Sequence, residues 1–219
     1  ALQELIKNKL TTVQRIELSN DFITQENALK GVLKADMENI RATLEKINHK
    51  TFEDIVNSLF EAKKIYIIGL RSSSALAEFL AFYLNLILDN VKVVAYGVSD
   101  IFEQMLNVSG EDVVIGIGFP RYTTRTIEVL EFAKSRNAHV VAITDSLLSP
   151  LAARADYTLI AQSNMASFVD SLVAPLSVIN ALIIAVGLRE KEKISNTFST
   201  LENIWEEYQV YSYKDKNER

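Results

Sequence analysis

The chain has 219 residues, with 23 Lys and Arg against 28 Asp and Glu, and a formal net charge of −5. That balance excludes a chain that grips a polyanion by itself. Hydrophobic residues make up 48% and charged residues 23%, which sets aside disordered and fibrous classes. There is no cysteine and there are only two histidines. Disulfide scaffolds, thiolate zinc sites and cysteine nucleophiles are therefore excluded, no metal centre or cofactor is expected, and a reducing, cytoplasmic setting fits.

The opening ALQELIKNKL carries charges where the apolar core of a signal peptide would run. The longest apolar stretch, 172–187, contains Pro175, Ser177 and Asn180. It reads as a buried helix, and no membrane contact is expected.

In chain order, residues 1–62 hold one glycine and no proline, and their apolar positions recur at helical spacing. Leu2, Leu5, Ile6, Leu10, Val13 and Ile16 form one set; Leu29, Leu33, Met37, Ile40, Leu44 and Ile47 form the next. Breaks are expected at Ser19-Asn20-Asp21 and at Asn48-His49-Lys50. Thr51, followed by Glu53 and Asp54, reads as the N-cap of a short helix to about Ala62. From Lys64 the texture changes to short β-branched runs: KIYIIG (64–69), VKVVAYG (91–97), DVVIGIGF (112–119), HVVAITD (139–145) and DYTLIA (156–161). Helix-length connections separate them, so the pattern predicts a parallel sheet with helices on both faces. The apolar stripe Ile194, Phe198, Leu201, Trp205, Tyr208 marks a last helix, and the end KDKNER is expected to fray.

In such a sheet the ligand site lies at the carboxyl ends of the strands. After the first strand come Arg71, Ser72, Ser73 and Ser74, leading into a helix. Hydroxyls, backbone N–H groups and an Arg there suit a phosphate or carboxylate, and the structural alternative is plain N-capping. After the third strand come Gly118, Pro120, Arg121, Tyr122, Thr123, Thr124 and Arg125, again entering a helix. Two Arg there oppose the helix dipole, a cost that an anion would relieve; the alternative is a solvated basic turn. Neither turn has a P-loop Lys or the glycines of a dinucleotide fingerprint. After the fifth strand, 163–171 (SNMASFVDS) caps the apolar helix, with Asp170 the one acid facing the site. Asp145 reads as structural, Glu103 sits in a helix after the second strand, and His49 and His139 fall away from the strand ends of interest.

The run IGFPRYTTRTIEVLEFAK, followed by ITDSLLSPLAARADYTLIA and SFVDSLVAPLSVINALI, resembles the sugar isomerase (SIS) domain of RpiR-type bacterial transcriptional regulators. The resemblance covers residues 64 to about 188. It implies a three-layer α/β/α sandwich with a five-stranded parallel sheet, SIS and flavodoxin-like, as residues 49–219. A helical leader, 1–48, would follow a helix-turn-helix domain upstream of Ala1. It implies a phosphorylated sugar as effector, DNA bound through that other domain, and no catalytic residue. Ser72 and Ser73 match the family's first phosphate-binding serines, and Thr123 the Thr of its second turn. There, Gly118, Pro120 and Arg121 replace Ser, Ser and Gly, so Arg121 would supply by charge what hydroxyls supply elsewhere. The apolar helices 75–88 and 172–187 suggest a homodimer, with a tetramer left open. The alternatives are a sugar-phosphate aldose–ketose isomerase, for which Glu103 or Asp170 could be the base, and a purely structural dimerisation domain.

Overall fold

The computed structural model describes residues 11, 13, 14, 17, 23–165 and 168–212. The break expected at 19–21, most of the first apolar set and the KDKNER end lie outside them. All five strands form, and each pairs in parallel with its neighbour. They are β1 (Ile65–Gly69), β2 (Val91–Val94), β3 (Val113–Ile117), β4 (His139–Thr144) and β5 (Tyr157–Ile160), in the order β2-β1-β3-β4-β5. β1 and β3 are buried throughout, whereas β2 and β5, at the edges, are half-exposed.

Burial on both faces explains the apolar runs, because successive side chains point to opposite sides. Ile65 and Ile67 enter one core with helices α2 (His49–Glu61), α3 (Ser74–Asn85) and α6 (Val173–Arg189). Tyr66 and Ile68 enter the other core, with α4 (Ile101–Gln104) and α5 (Thr124–Ser135). Helix α1 (Ala28–Lys46) packs on α6, and α7 (Lys191–Glu207) follows α6 with no residue buried.

One local expectation is corrected. The N-cap of α2 is Asn48, not Thr51: its side chain accepts from the Thr51 N–H at 3.0 Å, so the helix starts at His49. The helices expected at 75–88 and 172–187 run over 74–85 and 173–189; most of their apolar residues turn inward, while Phe82 of α3 and Ile184 and Leu188 of α6 stay exposed. Leu76, Leu80 and Leu84 of α3, and Val178, Ile179, Leu182 and Val186 of α6, are buried in this chain's own core. Among the described residues, no single helix is long and apolar enough to cross a membrane.

The order β2-β1-β3 makes the boundary between β1 and β3 the topological switch point. The connections from these two strands leave in opposite directions there and open a crevice at the carboxyl ends.

Candidate functional site

Two turns face that crevice. In the first, β1 ends at Gly69, where a Cβ would lie 2.4 Å from the Ser73 carbonyl oxygen. Only glycine lets the turn Arg71–Ser73 fold back so tightly before α3 begins. In the second, the Gly118 N–H donates to the Ile143 carbonyl at 3.1 Å, and the chain reaches α5 through Pro120 to Thr123. Each turn holds an arginine in the left-handed region, Arg71 at φ 59° and Arg121 at φ 68°. That conformation costs a residue with a Cβ about 1 to 2 kcal/mol, and such strain concentrates at functional sites.

Neither helix start is capped by a side chain. Ser73 and Thr123 occupy the N-cap positions of α3 and α5, and neither makes a side-chain capping bond. Thr123 Oγ1 is 2.7 Å from Thr126 Oγ1, and Ser73 is buried. Plain N-capping, the structural alternative for these hydroxyls, is therefore not what they do.

Arg71, Ser72, Ser73, Arg121, Tyr122, Thr123, Thr124 and Asp170 line one cavity of about 780 Å³. Ser74 is the exception. Its Oγ turns back to donate to the Arg71 carbonyl at 2.8 Å and braces the turn. Tyr96, Arg125 and Phe168 also line the cavity. Arg125 pairs with Glu128 at 3.1 Å and lies over the Phe102 ring, so its charge at the helix start is met within α5 and by that ring. Tyr96 follows β2, and Phe168 is the one aromatic in a polar loop. Strand-end position was a signal for the first, whereas nothing in the local sequence marked the second.

The wall is polar and net positive, with three arginines against Asp170. Behind it, Tyr122 donates from Oη to Asp145 Oδ1 at 2.6 Å, and Thr144 Oγ1 donates to the same oxygen at 3.3 Å. Glu103 is engaged elsewhere. It closes a capping box in which its Oε2 accepts the Asp100 N–H at 3.0 Å and Asp100 accepts from Phe102. His139 opens β4 at the opposite end of the sheet, beside a second cavity, and His49 is the exposed first residue of α2. No cluster of His, Asp or Glu able to hold a metal occurs among the described residues.

The model of the SIS domain family matches residues 58–185, more than half of the chain and all five strands. The chain belongs to the SIS-domain family. Among relatives of this SIS domain, an uncharacterized HTH-type transcriptional regulator of Haemophilus influenzae is 31% identical over 143 residues, 65% of this chain. The match spans 48% of that relative, about half its length. The crystal structure of the sugar isomerase domain of an RpiR transcription factor from Sphaerobacter thermophilus superposes at a TM-score of 0.77. It is 28% identical and covers 81% of this chain and 99% of that one. The Vibrio vulnificus NanR protein, complexed with ManNAc-6P, shares the fold at a TM-score of 0.71 and 19% identity, over 92% of this chain and 75% of that one.

Proposed function

We propose that this SIS domain is the effector-sensing part of a transcriptional regulator. It binds a phosphorylated sugar and modulates DNA binding by a separate helix-turn-helix domain. One observation carries the reading: two hydroxylated, Arg-bearing helix starts, neither capped by its own side chain, face one cavity at the switch point of the sheet. A phosphate there would receive hydrogen bonds from Ser72, Ser73, Thr123 and Thr124 and from the N-terminal N–H groups of α3 and α5, with Arg71 and Arg121 supplying charge. Tyr122 and Asp170 would face the sugar hydroxyls. The names of the Haemophilus and Sphaerobacter relatives, and the sugar phosphate held by NanR, support it.

The family takes its name from sugar isomerases, but isomerisation needs a base and a group to open the ring. Among the described residues the cavity wall has no histidine and one carboxylate, and Glu103 serves as a helix cap. We therefore read the domain as a binding module. The same reading divides the chain after residue 48. No residue of α1 enters either hydrophobic cluster, whereas Ile55, Val56 and Leu59 of α2 lie within the core. A homodimer is supported by exposed Leu29, Leu33, Met37 and Leu44 on α1, with Ile184 and Leu188 on α6. As a reader of DNA, the protein would act in the cytoplasm.

The test is a thermal-shift screen of hexose, pentose, amino-sugar and N-acetyl-sugar phosphates against their unphosphorylated counterparts. A ligand at about 100 times its dissociation constant adds about 2.7 kcal/mol of stability. Stabilisation by phosphates alone is expected; equal stabilisation by free sugars would overturn the reading.

A further inference from the structure

The leader helix α1 is seated in an unusual way. Its large apolar residues Leu29, Leu33, Met37 and Leu44 face solvent, while the face turned to the domain carries small and polar residues. Asn39 and Thr43 are the two buried positions of the helix. Hydrogen bonds to the loop after β5, rather than apolar burial, specify where the helix sits. Asn39 Nδ2 donates to the Asn164 carbonyl at 2.8 Å, and Asn39 Oδ1 accepts from both the N–H and the Nδ2 of Asn164, each at 3.1 Å. Thr43 Oγ1 accepts the Gln162 N–H at 2.8 Å and donates to the Asn39 carbonyl at 2.7 Å. Ser171 Oγ donates to Asp36 Oδ1 at 2.6 Å.

The same loop reaches the cavity by two routes. Phe168 and Asp170, between the anchors at Asn164 and Ser171, form part of the cavity wall. Gln162 Nε2 donates to the Asp145 carbonyl at 2.8 Å, and Asp145 holds the hydroxyl of Tyr122, another wall residue. An unbroken set of hydrogen bonds thus runs from Tyr122 through Asp145, Gln162 and Thr43 to Asn39. Beside it, Ser163 Oγ is buried without a hydrogen-bond partner, a penalty that a shift of this loop could relieve.

We infer that the loop after β5 is a relay: through Asp145–Gln162–Thr43 and through Ser171–Asp36, the state of the cavity wall sets the seating of α1. Asn39, Thr43 and Gln162 are positioning residues that touch no ligand. A helix held by directional polar bonds, with little apolar adhesion, leaves its seat when a few bonds are lost, as elements that move in allostery must. The inference rests on the reading of the cavity as a ligand site, and it names the route by which occupancy leaves that site.

The test needs no ligand at first. Tyr122→Phe removes the hydroxyl at one end of the relay and Thr43→Val the acceptor at the other, in residues without a bond to each other. Independent sites add to within about twofold in the unfolding constant. The relay predicts coupling of about fivefold or more in the double-mutant cycle, and additivity would overturn it. Should Thr43→Val fail to fold, hydrogen exchange of Tyr122→Phe alone decides. Amides of 28–46 should exchange at least about threefold faster than in the wild type, relative to those of α6, and unchanged rates would overturn the relay. Inorganic phosphate then separates the two readings. Phosphate that binds by calorimetry yet leaves exchange in 28–46 unchanged removes the relay and keeps the anion site. Coupling in the cycle without phosphate binding keeps the relay and removes the anion site.

Discussion

Arg121 holds a left-handed backbone at the turn where the resemblance would place glycine. Its side chain and its backbone therefore make opposite demands, and substitution can separate them. Arg121→Gly removes the charge and relieves the strain, at an entropic cost of about the same size. Stability in urea should stay within about 1 kcal/mol of wild type. Affinity for whichever sugar phosphate the screen selects should fall at least about tenfold, since a charged hydrogen bond contributes about 1.5 to 3 kcal/mol. Arg121→Ala should lose the same affinity without the relief. Calorimetric titration of both variants checks this, and unaltered affinity in a folded Arg121→Gly would remove Arg121 from the anion site.

Asp156 shows how neighbouring elements are fastened at the end of the sheet away from the site. Its Oδ1 pairs with Lys134 of α5 and its Oδ2 accepts the Val140 N–H of β4 at 2.8 Å, just before β5 begins. Burial pushes its carboxyl upward, but the bonds from Lys134 and Val140 outweigh that and hold it below the ordinary range. A carboxylate whose pKa is depressed on folding contributes stability above its unfolded value, near 4, and loses it as pH falls through the folded value. Urea melts should therefore show Asp156→Asn about 1 to 2 kcal/mol less stable than wild type at about pH 7. The gap should close as pH falls below about 4 and through the folded value, and a gap independent of pH would contradict the assignment.

At the scale of the whole molecule, the proposal concerns two sites whose occupancies are linked. If a sugar phosphate changes the operator affinity of a protein that joins this domain to the proposed helix-turn-helix domain by some factor, operator DNA must change sugar-phosphate affinity by the same factor, with couplings typically of about 1 to 3 kcal/mol. Measuring both affinities on one preparation checks this, and finding neither moved would sink the regulator reading even with the cavity confirmed. The 219 residues alone, at a net charge of −5, should show no sequence-specific DNA binding by mobility shift, because too little positive charge is available to neutralise phosphates along a duplex.

The parallel sheet was legible in the sequence because burial on both faces forces continuous apolar strands, and five such runs mark β1 to β5 within a residue or a few at each end. The two turns were legible for the same reason, since a parallel sheet exposes its ligand site at the carboxyl ends of its strands. The residues singled out in the two turns line one cavity together with Asp170, except Ser74, whose hydroxyl turns back to its own loop. Periodicity tells that a helix has an apolar face, not which neighbour that face meets. The leader's stripe at Leu29, Leu33, Met37 and Leu44 was visible in the sequence, but only the tertiary structure shows it turned to solvent while Asn39 and Thr43 face the domain. Phe168 likewise reaches the cavity through the placement of the loop after β5, a relation between distant segments that no local spacing encodes.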